Sequence, residues 1–163
     1  MTDAPISAAL KMIPYGFYAL SSHTDDDDNV MVFNWFTQAS FEPPLVAVGL
    51  QKTAHTYGLV EQSKVFAVNI LRAEDQDAIK AFTKGRAKNP EKMQGVEFTP
   101  GPQTGCPILP EAAAYLECKV VAKLDTGGDH DIVLGQVVNA EVRKSGKPED
   151  TLNLPQLGWN YAG

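Results

Sequence analysis

The sequence predicts a mainly β fold, a small barrel with short helices packed at its ends. Three observations carry that expectation. The runs 45–51 (LVAVGLQ) and 65–71 (VFAVNIL) are short and continuously apolar, which suits strands buried on both faces. Residues 15–23 and 30–41 are rich in aromatic and β-branched side chains, the types that fit a pleated surface. Further on, Ala114, Leu116, Cys118, Val120, Ala122 and Leu124 take every second position, with Glu117, Lys119, Lys123 and Asp125 between them. A period of two over that length gives one buried and one wetted face.

Each element follows in order. Residues 15–23 (YGFYALSSH) form a first strand and run into Asp25–Asp26–Asp27–Asp28–Asn29, a polar cluster suited to a turn. Segment 30–41 (VMVFNWFTQASF) is a second strand, stopped by Pro43 and Pro44, neither of which can donate a ladder hydrogen bond. After the strand 45–51, a short helix covers about 54–63 and leads into the strand 65–71. A second helix covers 73–83, where Ala78, Ile79 and Phe82 recur at spacings of three and four. Residues 84–110 hold Pro90, Pro100, Pro102, Pro107 and Pro110, so the spacing argues for an ordered excursion over the surface. Then 112–125 and 131–143 make a long antiparallel hairpin around Thr126–Gly127–Gly128–Asp129, with Ile132, Leu134, Val138, Ala140 and Val142 expected on its buried face. Residues 1–163 are expected to form one domain.

Composition excludes several function classes. Of 163 residues, 44% are apolar and 21% charged, ordinary for a globular chain and wrong for a disordered one. Fourteen basic against twenty acidic residues leave a charge of -6 with no basic stripe, so nucleic acid is not an expected partner. No uncharged run approaches the ~20 residues of a spanning helix, and no membrane partner is expected. The start MTDAPISAALK lacks a basic stretch followed by an apolar core, so no secretory signal is expected. Cys106 and Cys118 are too few for a disulfide framework, lack metal-ligand spacing and read as packing residues. A cytoplasmic protein is the expectation.

Three segments could carry chemistry. Lys52, Thr53, His55 and Thr56 open the helix at 54–63; threonines there satisfy free backbone N–H groups, and the same place is an anion site. Asn34, Trp35, Thr37, Gln38 and Ser40 put polar groups among strand formers, where a barrel rim can meet a planar ligand, although Trp35 also suits a core. His130 follows Gly127–Gly128–Asp129, as a turn residue or as part of a site. The four aspartates read as a solvated turn, since a calcium site needs ligands spaced by a folded loop.

Taken together, several stretches resemble the flavin reductase-like family. They are Asn29-Val-Met-Val-Phe-Asn-Trp35, Ser40-Phe-Glu-Pro-Pro44 with the strand after it, Thr53-Ala-His-Thr-Tyr57, Phe66-Ala-Val-Asn69-Ile-Leu71 and Gly128-Asp129-His130. Cys106-Pro-Ile-Leu-Pro110 leading into Tyr115-Leu-Glu-Cys118 extends the likeness over residues 10–145, which is greatest to the flavoredoxin type. The resemblance implies an FMN-binding split β-barrel that acts as an NAD(P)H-dependent flavin reductase or passes electrons from a redox protein. It places Asn29, Val30 and Met31 at the isoalloxazine edge, Trp35 against the ring or ribityl chain, and Phe36 and Thr37 as backbone contacts. Ser40 matches the Ser before the double proline. Lys52, Thr53, His55 and Thr56 would hold the phosphate, Asn69 the pyrimidine end, and Lys92 and His130 the far side. Trp159 is expected over the flavin. Val32 and Phe33 stand where many members carry a Thr-x-Ser pair. The competing class is a non-redox barrel for another planar ligand such as haem, which would not need the 52–56 cluster.

The resemblance also implies a homodimer with the flavin near the subunit interface. The uncharged tail 151–163, with Leu152, Leu154, Leu157, Trp159 and Tyr161, is expected to lie across a neighbouring subunit and close the pocket.

Overall fold

The computed structural model describes residues 4–158. Trp159 and Tyr161, and with them the expected aromatic contact to the flavin, lie outside the described residues. In chain order the elements are α1 (Ala4–Leu10), β1 (Tyr18–His23), β2 (Asp28–Phe33), β3 (Phe36–Ser40), β4 (Leu45–Gln51) and α2 (His55–Ser63). They continue with β5 (Val65–Ile70), a 3-10 helix (Ala73–Phe82), the short ribbon of β6 (Thr99–Pro100) and β7 (Pro107–Ile108), and the long pair β8 (Ala114–Asp125) and β9 (His130–Val142).

Seven strands form one antiparallel sheet in the order β2-β1-β5-β8-β9-β4-β3. Its two edges, β2 and β3, are consecutive in the chain with only Asn34 and Trp35 between them. That link forces the sheet to curl until its edges meet. Phe36 fills the seam, its ring 4.9 Å from Tyr18 and 5.9 Å from Phe33. The result is the mainly β barrel with short helices that the sequence predicts, closed on one side by side chains.

Leu20, Phe33, Val48, Leu50, Phe66, Val68, Cys118 and Val133 fill the interior. Gly135 is required there, because a Cβ would come within 2.4 Å of the Phe66 ring. Phe17, Val30, Leu71, Ile79, Phe82 and Leu152 make a second core outside the sheet. β1 and β5 lie between the two cores, so Leu20 and Val68 face one and Ala19 the other.

Five expectations need correction. Segment 30–41 is two strands, because the chain must cross from one sheet edge to the other at Asn34–Trp35. Segment 73–83 winds as a 3-10 helix with a kink at Asp75; its buried anchors Ile79 and Phe82 are three apart, a spacing that the tighter winding aligns. β4 is covered on one face only, with Val46, Val48 and Leu50 buried and Leu45, Ala47 and Gly49 half-buried.

Only one strand of the hairpin keeps its expected parity: on β8 Cys118 is buried with Leu116 and Val120 packed against the core, whereas β9 is turned the other way. On β9 it is Val133 that is buried, while Ile132, Val138 and Val142 are exposed, as is Leu124 at the far end of β8. Register shifts after Glu117 and after Val120 break the simple alternation. Glu117 is wholly buried, accepting hydrogen bonds from the Gln103 and Thr104 backbone N–H groups, the Thr104 hydroxyl and the Asn139 amide.

The tail, as far as Leu157, packs on its own barrel. The Leu152 carbonyl accepts from Phe17 N–H and its own N–H donates to the Leu71 carbonyl, and Leu152 and Leu154 are buried in the outer core. Those leucines find cover where β1 and β5 already expose an apolar outer face.

Candidate functional site

Two adjoining cavities run along β2. The first is aromatic. Where β2 ends, Trp35 packs against Gly49, so close that a Cβ on that glycine would stand 3.1 Å from the indole. The His130 ring sits 4.4 Å from the Trp35 ring, and its Nδ1 donates to Asp129 Oδ1 at 2.7 Å. With Met31, Val32, Asn34 and Gln51 these side chains enclose about 310 Å³. Asn34 is buried, and its amide nitrogen has no acceptor among the described residues.

Met31, Val32, Gln51 and Thr83 are shared with the second cavity, of about 700 Å³. One wall is the start of α2: Thr53, Ala54, His55 and Thr56. Ala54 holds the capping position and no side chain caps the helix, so its first N–H groups keep their donor capacity. Thr56 does not cap; its buried hydroxyl accepts from the Asn29 amide at 2.7 Å. The capping expected of the threonines at this helix start is therefore not made.

The opposite wall is the loop after the 3-10 helix, with Lys84, Arg86, Lys88 and Lys92. Arg86 donates to Asp27, to the Asp28 carbonyl and to Asn29 Oδ1. His55 Nε2 donates to the same Asp27 carboxylate at 2.6 Å. Partial burial works against the Asp27 charge, but the His55 hydrogen bond and the Arg86 charge hold its carboxyl below the ordinary value. Lys92 is 5% exposed, and its ammonium donates to the Phe82 and Lys84 carbonyls. Burial, helped by the Arg86 charge, brings its pKa down to about 8.

The structure thus brings together Asn29, Met31, Thr53, His55, Thr56 and Lys92 at the basic end, and Trp35 and His130 at the aromatic end. Other expected site residues are elsewhere. Val30 is buried in the outer core. Phe36 faces the seam and a separate cavity beyond it. Thr37 is exposed on β3 and Ser40 half-buried at its end, and neither lines the cleft. Lys52 turns away to Asp125 at 2.8 Å and Asp131 at 3.5 Å, and its hydrogen bond to Asp125 holds its pKa above the ordinary value. Asp131 is itself anchored by the buried Tyr57 hydroxyl at 2.5 Å. Asn69 spends its amide on Ala19 and Pro107 carbonyls and accepts from Leu109 N–H, so it locks β5 to the 107–109 segment. Of the four aspartates, Asp25 and Asp26 are exposed, whereas Asp27 and Asp28 are engaged, Asp28 with His23 at 2.6 Å.

Sequence reasoning missed Arg86, Lys84, Lys88, Gln51 and Gly49. A signal existed: Lys84, Arg86 and Lys88 alternate around glycine and alanine in an otherwise acidic chain.

A model of the flavin reductase like domain matches residues 10–160. The chain belongs to the flavin reductase-like family. Among its relatives, diflavin flavoprotein A 1 of Synechocystis sp. is 33% identical over 144 residues, which cover 88% of this chain and 25% of that protein. The chain thus spans about a quarter of the diflavin flavoproteins it matches. The family member of Archaeoglobus fulgidus named ferric-chelate reductase (NAD(P)H) is 33% identical over 138 residues, covering 83% of this chain and 80% of that one. Among solved structures, the NADH:FAD oxidoreductase of Streptomyces globisporus superposes with a TM-score of 0.76 at 27% identity, over 87% of this chain and 86% of the other. Among the described residues, no helix of this family member is long and apolar enough to cross a membrane.

Proposed function

We propose that this chain is an NAD(P)H:flavin oxidoreductase that binds its flavin through the FMN portion. The observation that carries the reading is the continuity of an aromatic slot with a basic cavity, a layout that fits a planar ring joined to a phosphate. Trp35 and His130 bound the ring end, while Thr53, the open start of α2 and Lys92 serve the phosphate. A bound flavin supplies hydride acceptance and one-electron transfer. The protein positions it: Gly49 lets Trp35 pack close, Asp129 fixes the His130 ring, and Asp131 holds Lys52 clear of the cavity mouth. A haem-type ligand without phosphate has no use for the open helix start and its facing cations. The names of relatives as NADH-dependent FAD reductase and ferric-chelate reductase (NAD(P)H) support a nicotinamide donor.

Anaerobic stopped-flow mixing of the flavin-loaded protein with NADH and with NADPH tests the activity. Bleaching of the flavin within turnover times is expected with at least one donor. No bleaching with either would leave a carrier that takes electrons from a redox protein. Protein that takes up no flavin at all would end the reading.

Assembly as a homodimer is part of the proposal. Ile132, Val138 and Val142, with Leu124 paired opposite Ile132, give the outer face of the hairpin an exposed apolar stripe. A second copy related by a two-fold axis covers such a stripe with its own. Light scattering should return about twice the 17.7 kDa chain mass, and Val138→Lys should halve it.

A further inference from the structure

A cavity of about 820 Å³ lies apart from the cleft and is larger than either of its parts. None of its lining residues lines the cleft. The paired segments 15–17 and 152–154 stand between the two, with Tyr15, Gly16, Leu152 and Asn153 on one side and Phe17 and Leu154 on the other. Much of the lining is apolar. Tyr18 and Phe36 meet edge to face there with ring centres 4.9 Å apart, and Ile70 and Ala114 extend the surface. Gly16 lets the Tyr18 side chain fold back over the backbone, since a Cβ at position 16 would stand 2.1 Å from its hydroxyl. That hydroxyl has no hydrogen-bond partner among the described residues. Burial holds its pKa above the ordinary value, so it keeps its proton and remains a donor.

The charged lining is lopsided. Arg72, Lys144 and Lys147 face one carboxylate, Asp150, in a chain whose net charge is -6. Asp150 is turned to the Lys147 backbone N–H at 2.9 Å. Arg72 donates to the Ser145 carbonyl and has Glu74 at 3.6 Å, while Lys144 has Asp75 at 3.2 Å. The Lys147 ammonium forms no ion pair among the described residues. One cation is left over, beside an apolar surface and an unpartnered hydroxyl. A phosphate, with a charge of about -1.5 to -2 and no apolar body, would exceed that charge and leave the rings wet. A single carboxylate on an apolar body matches all three features.

We propose that this cavity is a second binding site, for an organic monocarboxylate whose ring or chain lies on Tyr18, Phe36 and Ile70 and whose carboxylate accepts from Lys147 and the Tyr18 hydroxyl. The volume suits a drug-sized ligand, with apolar contact supplying affinity and the charged hydrogen bond supplying selectivity. The site does not depend on the flavin reading.

The test is calorimetric titration of the full chain, flavin-free and FMN-saturated, with 4-phenylbutyrate and with its neutral amide. The expected result is one carboxylate bound per chain in both states, with the amide about tenfold weaker. Lys147→Glu should weaken 4-phenylbutyrate about tenfold, and Tyr18→Phe should weaken it to a lesser degree. Lys147 is exposed and Tyr18→Phe keeps the ring, so both variants retain the fold. Absence of binding to the unaltered protein overturns the proposal, as does equal affinity for acid and amide or an affinity that neither variant moves. Binding that FMN abolishes would place the probe in the cleft and overturn it too. Light scattering on the same samples tests the other occupant: a dimer that the probe splits would assign the cavity to a second copy instead. Protein that takes up no FMN would refute the flavin reading, and the flavin-free titrations would still decide this site.

Discussion

The two ends of the cleft are built on different principles. The aromatic end rests on strands: Trp35 against Gly49 of β4, and His130 at the start of β9, which pairs with Gln51. The basic end joins a helix start to a loop, where Asp27 and Asn29 side chains hold Arg86 and backbone carbonyls hold Lys92. Shape complementarity governs the first and charge the second. Substitutions at the two ends should therefore separate ligands that differ only in phosphate.

The largest effect is expected at the aromatic end. Gly49→Leu drives a side chain into the indole, and overpacking of this kind costs about 1–3 kcal/mol. Riboflavin and FMN should lose affinity together, on the order of a hundredfold at most. Fluorescence titration checks this, and a loss confined to FMN would mean that the two ends have been assigned the wrong way round.

Next comes Lys92. Its folded pKa of about 8 lies below the 10.5 of an unperturbed lysine, so the folded state disfavours the charged form. Between those values the unfolded chain binds more protons, and stability contributed by this group rises with pH across the window. Below pH 8 the penalty is fully present. The charged neighbour is Arg86, and the acceptors are the Phe82 and Lys84 carbonyls. Lys92→Met should flatten the rise in stability between pH 8 and 10.5. Urea unfolding at several pH values measures it, and an unchanged slope would show that Lys92 is not the group responsible.

A smaller, selective effect belongs to the helix start. Thr53→Ala with His55→Ala should weaken FMN about tenfold and leave riboflavin within twofold. Equal losses for both ligands would remove the distinction between the ends. The smallest effect is at Ser40: Ser40→Ala should leave FMN affinity within twofold, because the residue does not line the cleft.

Patterns that repeat along the chain were legible, and those made by distant segments were not. The apolar run at 65–71 and the turn at Gly127–Gly128 appear where the sequence puts them. Alternation in the hairpin is legible, and the facing of β8 with it, but that of β9 is not, since an apolar stripe looks the same turned to a core or to a second surface. Glu117 shows why: its burial depends on Gln103, Thr104 and Asn139, which no local period connects to it. In the site, Thr53, His55 and Thr56 were readable as a helix start, and Trp35 and His130 as candidate walls. Lys52 was misplaced because Asp125 and Asp131 reach it only through strand pairing between β4 and β9. Arg86 was missed because a loop has no period to read.

Asp27 gives the cleft a built-in competitor. Its carboxylate spans from His55 on one wall to Arg86 on the other, occupying hydrogen-bond donors that an incoming anion also wants. Being tethered, it competes at an effective concentration of at least the millimolar range. Singly charged solutes such as chloride or acetate match it in charge but lack that advantage, so they lose. A phosphate brings more charge and more acceptor oxygens, and it can take a share of both donors. On the proposed flavin reading, this anion of its own would keep the cleft selective for multiply charged ligands, and removing that aspartate should open it to ordinary salt.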